Sequence, residues 1–167
     1  NGSQPLIEEN IVLSVNGEIY NHKELFETKL ENKYVNKSGS DCEVIIYLYK
    51  EFGSKCVEML DGIFSFVLYD ITNKTILVAR DRIGITPLYY GISNNEELVI
   101  SSELKGLHDS CVFVKVFLPG FYLETNIKDI DDLNHVSYYR PDWTLYKEPS
   151  NSNELELCNK LRTALTN

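Results

Sequence analysis

Gly62-Ile63-Phe64-Ser65-Phe66-Val67-Leu68-Tyr69-Asp70 decides the fold. The stretch alternates, with Phe64, Phe66 and Leu68 on one face and Ile63, Val67 and Tyr69 on the other. A half-buried strand shows one apolar face and one polar face. Here both faces are apolar, so the strand is expected between two packed layers. Thr72-Asn73-Lys74 follows as a turn, and residues 75–81 return as a hairpin partner.

Upstream, Ile11-Val12-Leu13-Ser14-Val15 reads as a buried strand ending at Asn16-Gly17-Glu18-Ile19-Tyr20-Asn21. Asn21 is expected to cap a short helix, with Glu24 spaced for a reciprocal cap and Leu25, Phe26 and Leu30 on its apolar side. Ser40 and Glu43 repeat that spacing ahead of a helix over residues 41–52. Its middle, Val44-Ile45-Ile46-Tyr47-Leu48-Tyr49, is nearly all apolar and should be buried. Gly53 ends it. Downstream, residues 88–92 and 98–102 form a hairpin around Ser93-Asn94-Asn95, and residues 103–108 a short helix. Strands are expected over residues 121–124, after the Pro119-Gly120 break, and over residues 135–140. The fold class is α+β, with helices packed on antiparallel sheets.

The composition narrows the function. At 167 residues and 43% hydrophobic, the chain has one domain's worth of core. A formal charge of −9 argues against a nucleic-acid partner, whose phosphates need basic surface. No apolar run approaches the roughly 20 residues of a bilayer span, so no membrane partner is expected. The opening Asn1-Gly2-Ser3-Gln4-Pro5 lacks the basic end and apolar run of a signal peptide, and a cytoplasmic location is expected. The four cysteines, Cys42, Cys56, Cys111 and Cys158, form no CxxC pair, and there are only three histidines; no metal site is expected.

Asn16 and Gly17 offer a side-chain amide and a backbone N–H side by side, and two such donors can hold an oxyanion. Glu18 follows with a carboxylate that can hold an ammonium group. Taken singly, these residues have plainer readings. Asn-Gly alone is a type I′ hairpin turn, Asp41 alone a first-turn acid, and Arg80-Asp81 a structural ion pair. Their order is more specific. Val15-Asn16-Gly17-Glu18-Ile19-Tyr20-Asn21 is followed by Ser38-Gly39-Ser40-Asp41-Cys42-Glu43 and Leu60-Asp61-Gly62-Ile63-Phe64-Ser65-Phe66. Then come residues 79–90, from Ala79-Arg80-Asp81-Arg82 to Pro87-Leu88-Tyr89-Tyr90, then Ser101-Ser102-Glu103-Leu104-Lys105 and Leu118-Pro119-Gly120. The series resembles the glutaminase domain of the class II glutamine amidotransferases. Within that group the last two blocks favour the glutamine-hydrolysing asparagine synthetases.

The resemblance implies the four-layer αββα sandwich of N-terminal-nucleophile hydrolases, incomplete at its start. It implies an oxyanion hole at Asn16 and Gly17, and Glu18 and Asp41 as ligands for the α-ammonium of glutamine. The family's nucleophile is an N-terminal cysteine, and none of this chain's cysteines stands in its place; an opening segment carrying it is expected ahead of Gly2. Without that segment a sheet edge should be exposed, and these residues alone should hydrolyse nothing. The implied organisation is a glutaminase domain over residues 1–143, a linker over 144–152, and, over 153–167, the first helix of a C-terminal synthetase domain. That helix is amphipathic, with Leu155, Cys158, Leu161 and Leu165 on one side. No cofactor is expected in the glutaminase domain; ATP and magnesium belong to the synthetase domain. The partners implied are glutamine, the synthetase domain and a second copy in a homodimer. The contrasting expectation is a non-catalytic glutamine-binding or interaction module of the same fold.

Overall fold

The computed structural model describes residues 3–126, 133–141 and 153–166. The strand over Gly62–Asp70 (β3) is the third of six in a sheet ordered β1-β2-β3-β4-β8-β9. Its neighbours are β2 (Ile11–Ile19) and β4 (Thr75–Arg80), both antiparallel. β1 (Leu6–Glu8), β8 (Phe121–Asn126) and β9 (His135–Ser137) complete the sheet. A second sheet of three strands has β5 (Tyr89–Ser93) between β6 (Leu98–Ser101) and β7 (Cys111–Val116). Four short helices accompany the sheets: α1 (His22–Thr28), α2 (Val44–Phe52), α3 (Cys56–Met59) and α4 (Lys105–His108).

Both apolar faces of β3 are used, as its sequence requires. Phe64, Phe66 and Leu68 join a core built with Leu13, Ile19 and the buried residues of α2. On the opposite face, Val67 packs on a smaller cluster of Val78, Leu88, Tyr90, Phe117 and Leu123, drawn from both sheets. One core thus lies between helices and the large sheet, the other between the two sheets. All six residues from Val44 to Tyr49 are buried, each aliphatic one contributing roughly 1.5–3 kcal/mol. Gly53 ends α2 at φ +59, where a side chain would be strained.

The caps differ from expectation. Asn21 precedes α1 but does not cap it; its amide spans Met59 O (3.0 Å) and Asp61 N (3.0 Å), tying α1 to the start of β3. Ser40 Oγ does accept from Cys42 N, at 3.3 Å. Glu43 does not reciprocate. It accepts from Lys37 N at 2.9 Å and Ser38 N at 2.6 Å, and from Tyr47 Oη at 2.7 Å, pinning the loop before Asp41. A distant partner takes the Asn21 side chain, and the loop just upstream takes that of Glu43.

Two strands are absent from the sequence reading. β1 has only three residues, and β7 is largely exposed, so neither carries a period that stands out from its surroundings. On β7, Val112 is 69% and Val116 53% exposed, and the strand pairs only with β5. The C-terminal helix, α5 (Glu154–Thr166), is found where expected and buries none of its residues. The expected linker, 144–152, lies outside the described residues.

Candidate active site

Asn16-Gly17 forms neither a turn nor a strand end. It lies inside β2, with Asn16 opposite Ser65 and Gly17 opposite Phe64. The strand continues because Gly17 takes φ +144, a conformation open to glycine, and because β3 approaches so closely. A Cβ on Gly17 would sit 2.0 Å from Ile63 O. Gly62 across the pair is just as tight, its Cβ falling 2.1 Å from Glu18 O.

Strand geometry then places the functional groups. Ile11, Leu13, Val15 and Ile19 point into the helix-side core, so Asn16 and Glu18 point to the opposite face, and both are exposed. Along the backbone, even residues turn toward β3, as Tyr20 N shows by donating to Asp61 O at 2.8 Å. Odd residues turn toward the other edge. β1 covers that edge only from Ile11 to Leu13, so Val15, Gly17 and Ile19 meet no backbone partner there.

Side chains take the place of a strand. The Gln4 amide donates to Val15 O (2.6 Å) and accepts from Val15 N (2.9 Å). Cys42 Sγ donates to Gly17 O at 3.5 Å. Asp41 Oδ2 accepts from Ile19 N at 2.6 Å, and His22 Nδ1 lies 2.8 Å from Ile19 O. Among the described residues, Gly17 N–H is the one backbone group from Val15 to Ile19 on this edge without a partner. The Asn16 amide and the Glu18 carboxylate are also unbonded, as is the second oxygen of Asp41.

Two hydrogen-bond donors, Asn16 Nδ2 and Gly17 N, therefore stand beside two carboxylates, Glu18 and Asp41. Asn16 and Glu18 stand two residue steps apart on the strand, roughly 6.7 Å, with Gly17 between them. A cavity of about 130 Å³ opens beside Asn16 between the sheets, lined by Ser14, Ser65, Val67, Leu88, Ile100 and Ser101, among others.

No reactive thiol accompanies these groups. Cys42 is nearest, but it is buried, and its pKa is pushed up to about 12, first by burial and then by the Asp41 carboxylate beside it. A thiol so placed does not ionise near neutrality and is a poor nucleophile. Cys56 is wholly buried and likewise raised to about 12. Among the described residues no group of three or more His, Cys, Asp or Glu could hold a metal ion. No described helix is long and apolar enough to cross a membrane.

Arg80 and Asp81 are not an ion pair. The Arg80 guanidinium donates to three carbonyls, Thr86 O, Phe117 O and Gly84 O, each at 2.7 Å. Asp81 Oδ1 accepts the N–H groups of Ile83 (3.0 Å), Gly84 (2.5 Å) and Ile85 (3.2 Å). Asp81 also continues the sheet where β4 stops: its N–H donates to Phe64 O at 2.8 Å and Oδ2 accepts from Phe64 N at 3.3 Å. Together the two side chains fold the loop over residues 82–87 and anchor it next to the strand opposite Gly17.

The profile of the glutamine amidotransferase domain family matches residues 1–136. The chain belongs to that family. This amidotransferase domain is 45% identical, over 161 residues, to a probable glutamine-hydrolysing asparagine synthetase of Schizosaccharomyces pombe. The match takes in 93% of this chain and 28% of that protein. Glutamine-hydrolysing asparagine synthetases of Arabidopsis thaliana and Asparagus officinalis are 45% and 47% identical, over 89% and 85% of this chain. The chain spans about a quarter of the length of these curated relatives, 25% and 23% for the last two.

Solved structures carry the same fold. The Bacillus subtilis glutamine phosphoribosylpyrophosphate amidotransferase, complexed with ADP and GMP, superposes at a TM-score of 0.67 with 24% identity, over 83% of this chain and 32% of its own. A glutamine aminotransferase class-II domain protein from Silicibacter pomeroyi gives 0.57 with 15% identity, over 84% of this chain and 72% of its own. The expected α+β sandwich of the N-terminal-nucleophile type is therefore the fold of this amidotransferase domain. Sequence reading located Asn16, Gly17, Glu18 and Asp41, and the structure brings all four to one stretch of strand edge. It missed Gln4 and Cys42, whose partners lie 11 and 25 residues away, and His22, which bonds Ile19 three residues back.

Proposed function

We propose that this chain is the glutaminase part of an asparagine synthetase. In the parent protein, with its N-terminal cysteine in place, it hydrolyses glutamine to glutamate and ammonia, and a C-terminal synthetase domain, with ATP and magnesium, uses the ammonia to amidate aspartate to asparagine; these residues alone hydrolyse nothing. Residues 1–143 form the glutaminase domain, 144–152 a linker, and 153–167 the first helix of the synthetase domain. The observation that carries this reading is the unpartnered Gly17 N–H beside the unbonded Asn16 amide, on an edge whose other backbone groups from Val15 to Ile19 are satisfied. When a nucleophile attacks the glutamine amide, its carbonyl oxygen becomes an oxyanion, and these two donors receive it. Glu18 and the free oxygen of Asp41 hold the α-ammonium. The nucleophile is an N-terminal cysteine on a segment ahead of Gly2. The enzyme is a cytoplasmic homodimer in this reading.

The test is glutamate release from glutamine by the full-length parent protein. Turnover that disappears when the N-terminal cysteine is changed to alanine supports the reading. A second reading is favoured by the unreactive setting of Cys42: a module that binds glutamine without cleaving it. Under that reading the full-length protein binds glutamine, Glu18→Ala weakens binding, and no glutamate forms.

A further inference from the structure

We infer that Gln4 is a positioning residue for the oxyanion hole, an inference that rests on the glutaminase reading above. β1 and β2 pair from Leu6–Leu13 to Glu8–Ile11, and that pairing stops at Pro5, which has no N–H to give. Two more strand residues in the same register would bring a backbone partner to Val15, and two beyond those would cover Gly17. The Gln4 side chain instead supplies one acceptor and one donor to Val15 alone. It imitates the backbone of a neighbouring strand for a single residue and then ends.

The consequence is specific to the edge. Asp41 and His22 hold Ile19 two residues further along, and Cys42 holds Gly17 O. Gly17 N–H is thus fixed from both sides and left open in the middle. A continued β1 would give the same rigidity with no free donor; a strand without Gln4 would keep the donor but lose its fixed direction. Oxyanion donors act through their preset geometry, so a small rotation of the Asn16–Gly17 peptide costs rate without costing substrate affinity. The ammonium ligands, Glu18 and Asp41, lie on the far side of Gly17 from Gln4, and neither bonds it.

The experiment uses the full-length parent protein with Gln4→Met, which keeps the length of the side chain and removes both hydrogen bonds. The expected result is a kcat for glutamine hydrolysis lower by about 10- to 100-fold. KM for glutamine stays within about twofold, the pattern of an interaction needed only in the transition state. Wild-type kcat in Gln4→Met, or a loss that appears in KM instead, overturns the inference while leaving the glutaminase reading in place. Absence of turnover in the wild type removes that reading and the inference with it. Amide hydrogen exchange on the unmodified protein gives an answer even if Gln4→Met fails to fold. Val15 N–H should exchange slowly and Gly17 N–H fast; fast exchange at both, or slow exchange at both, overturns the clamp.

Discussion

The Asp41 carboxylate accepts the Ile19 N–H at 2.6 Å, across 22 residues of sequence, and so fastens the start of the helical layer to the open edge of β2. One oxygen makes that bond and the other is left for a ligand. The same side chain is thus both a tether and a charge.

Two substitutions separate these roles. Asp41→Asn keeps an oxygen for Ile19 N–H and loses the charge, so KM for glutamine should rise by about 10- to 100-fold, the value of a charged hydrogen bond, with little change in kcat. Asp41→Ala loses the tether as well and should lower kcat in addition. Identical kinetics for the two variants, measured in the full-length protein, would show that the tether is idle.

Asn16→Ala tests the oxyanion hole. The side chain is exposed and bonds nothing, so the melting temperature should hold. Glutamate release should fall by about 10²–10³, the usual cost of one oxyanion donor. Normal turnover in this variant would sink the assignment.

Gly17→Ala is expected to fail as a folded protein rather than as a catalyst. The new Cβ would meet Ile63 O at 2.0 Å and Phe64 Cα at 2.7 Å, both backbone atoms with nowhere to go. A loss of about 4 kcal/mol or more is expected, read as a drop in the denaturant midpoint. Gly39→Ala is the control: φ is +74 there but nothing lies within 4 Å, so only the backbone penalty of about 1–2 kcal/mol applies. Equal losses at the two positions would contradict the close approach of β2 and β3.

Stability should decline in alkali. The Cys42 and Cys56 thiols are raised from 9.0 to about 12 and the Tyr49 hydroxyl from 10.0 to about 12, burial being the first cause in each. Well below pH 9 all three are neutral whether the chain is folded or not. Above it, the unfolded chain ionises while the folded one does not, so the folded state loses ground progressively up to about pH 12. Urea midpoints that are equal at about pH 8 and about pH 10.5 would refute this.

Much of this molecule was legible from sequence because its strongest patterns are local. β3 announces two cores through two apolar faces, and α2 announces its burial through six apolar residues in a row. The candidate site residues were named through the order of several short motifs, since Asn-Gly alone points to a turn that does not form. What escaped depends on contacts between distant elements. Asn21 has a local capping partner by spacing, yet its amide is drawn to Met59 and Asp61, 38 and 40 residues away. Arg80 and Asp81 are adjacent and oppositely charged, but side chains of neighbouring residues on an extended strand point apart, so each bonds the loop and not the other. Gln4 shows no signal at all, because its partner lies 11 residues away on another strand.

The Arg80–Asp81 knot has a consequence for association. Ile83 and Ile85, 69% and 58% exposed, ride on the loop whose backbone those two side chains hold. A mobile loop surrenders conformational entropy when a partner covers it, and that loss is subtracted from the affinity. Here the ordering is completed during folding. Whatever comes to rest on Ile83 and Ile85 meets a surface already in its final shape, and it gains the full benefit of the apolar area it covers.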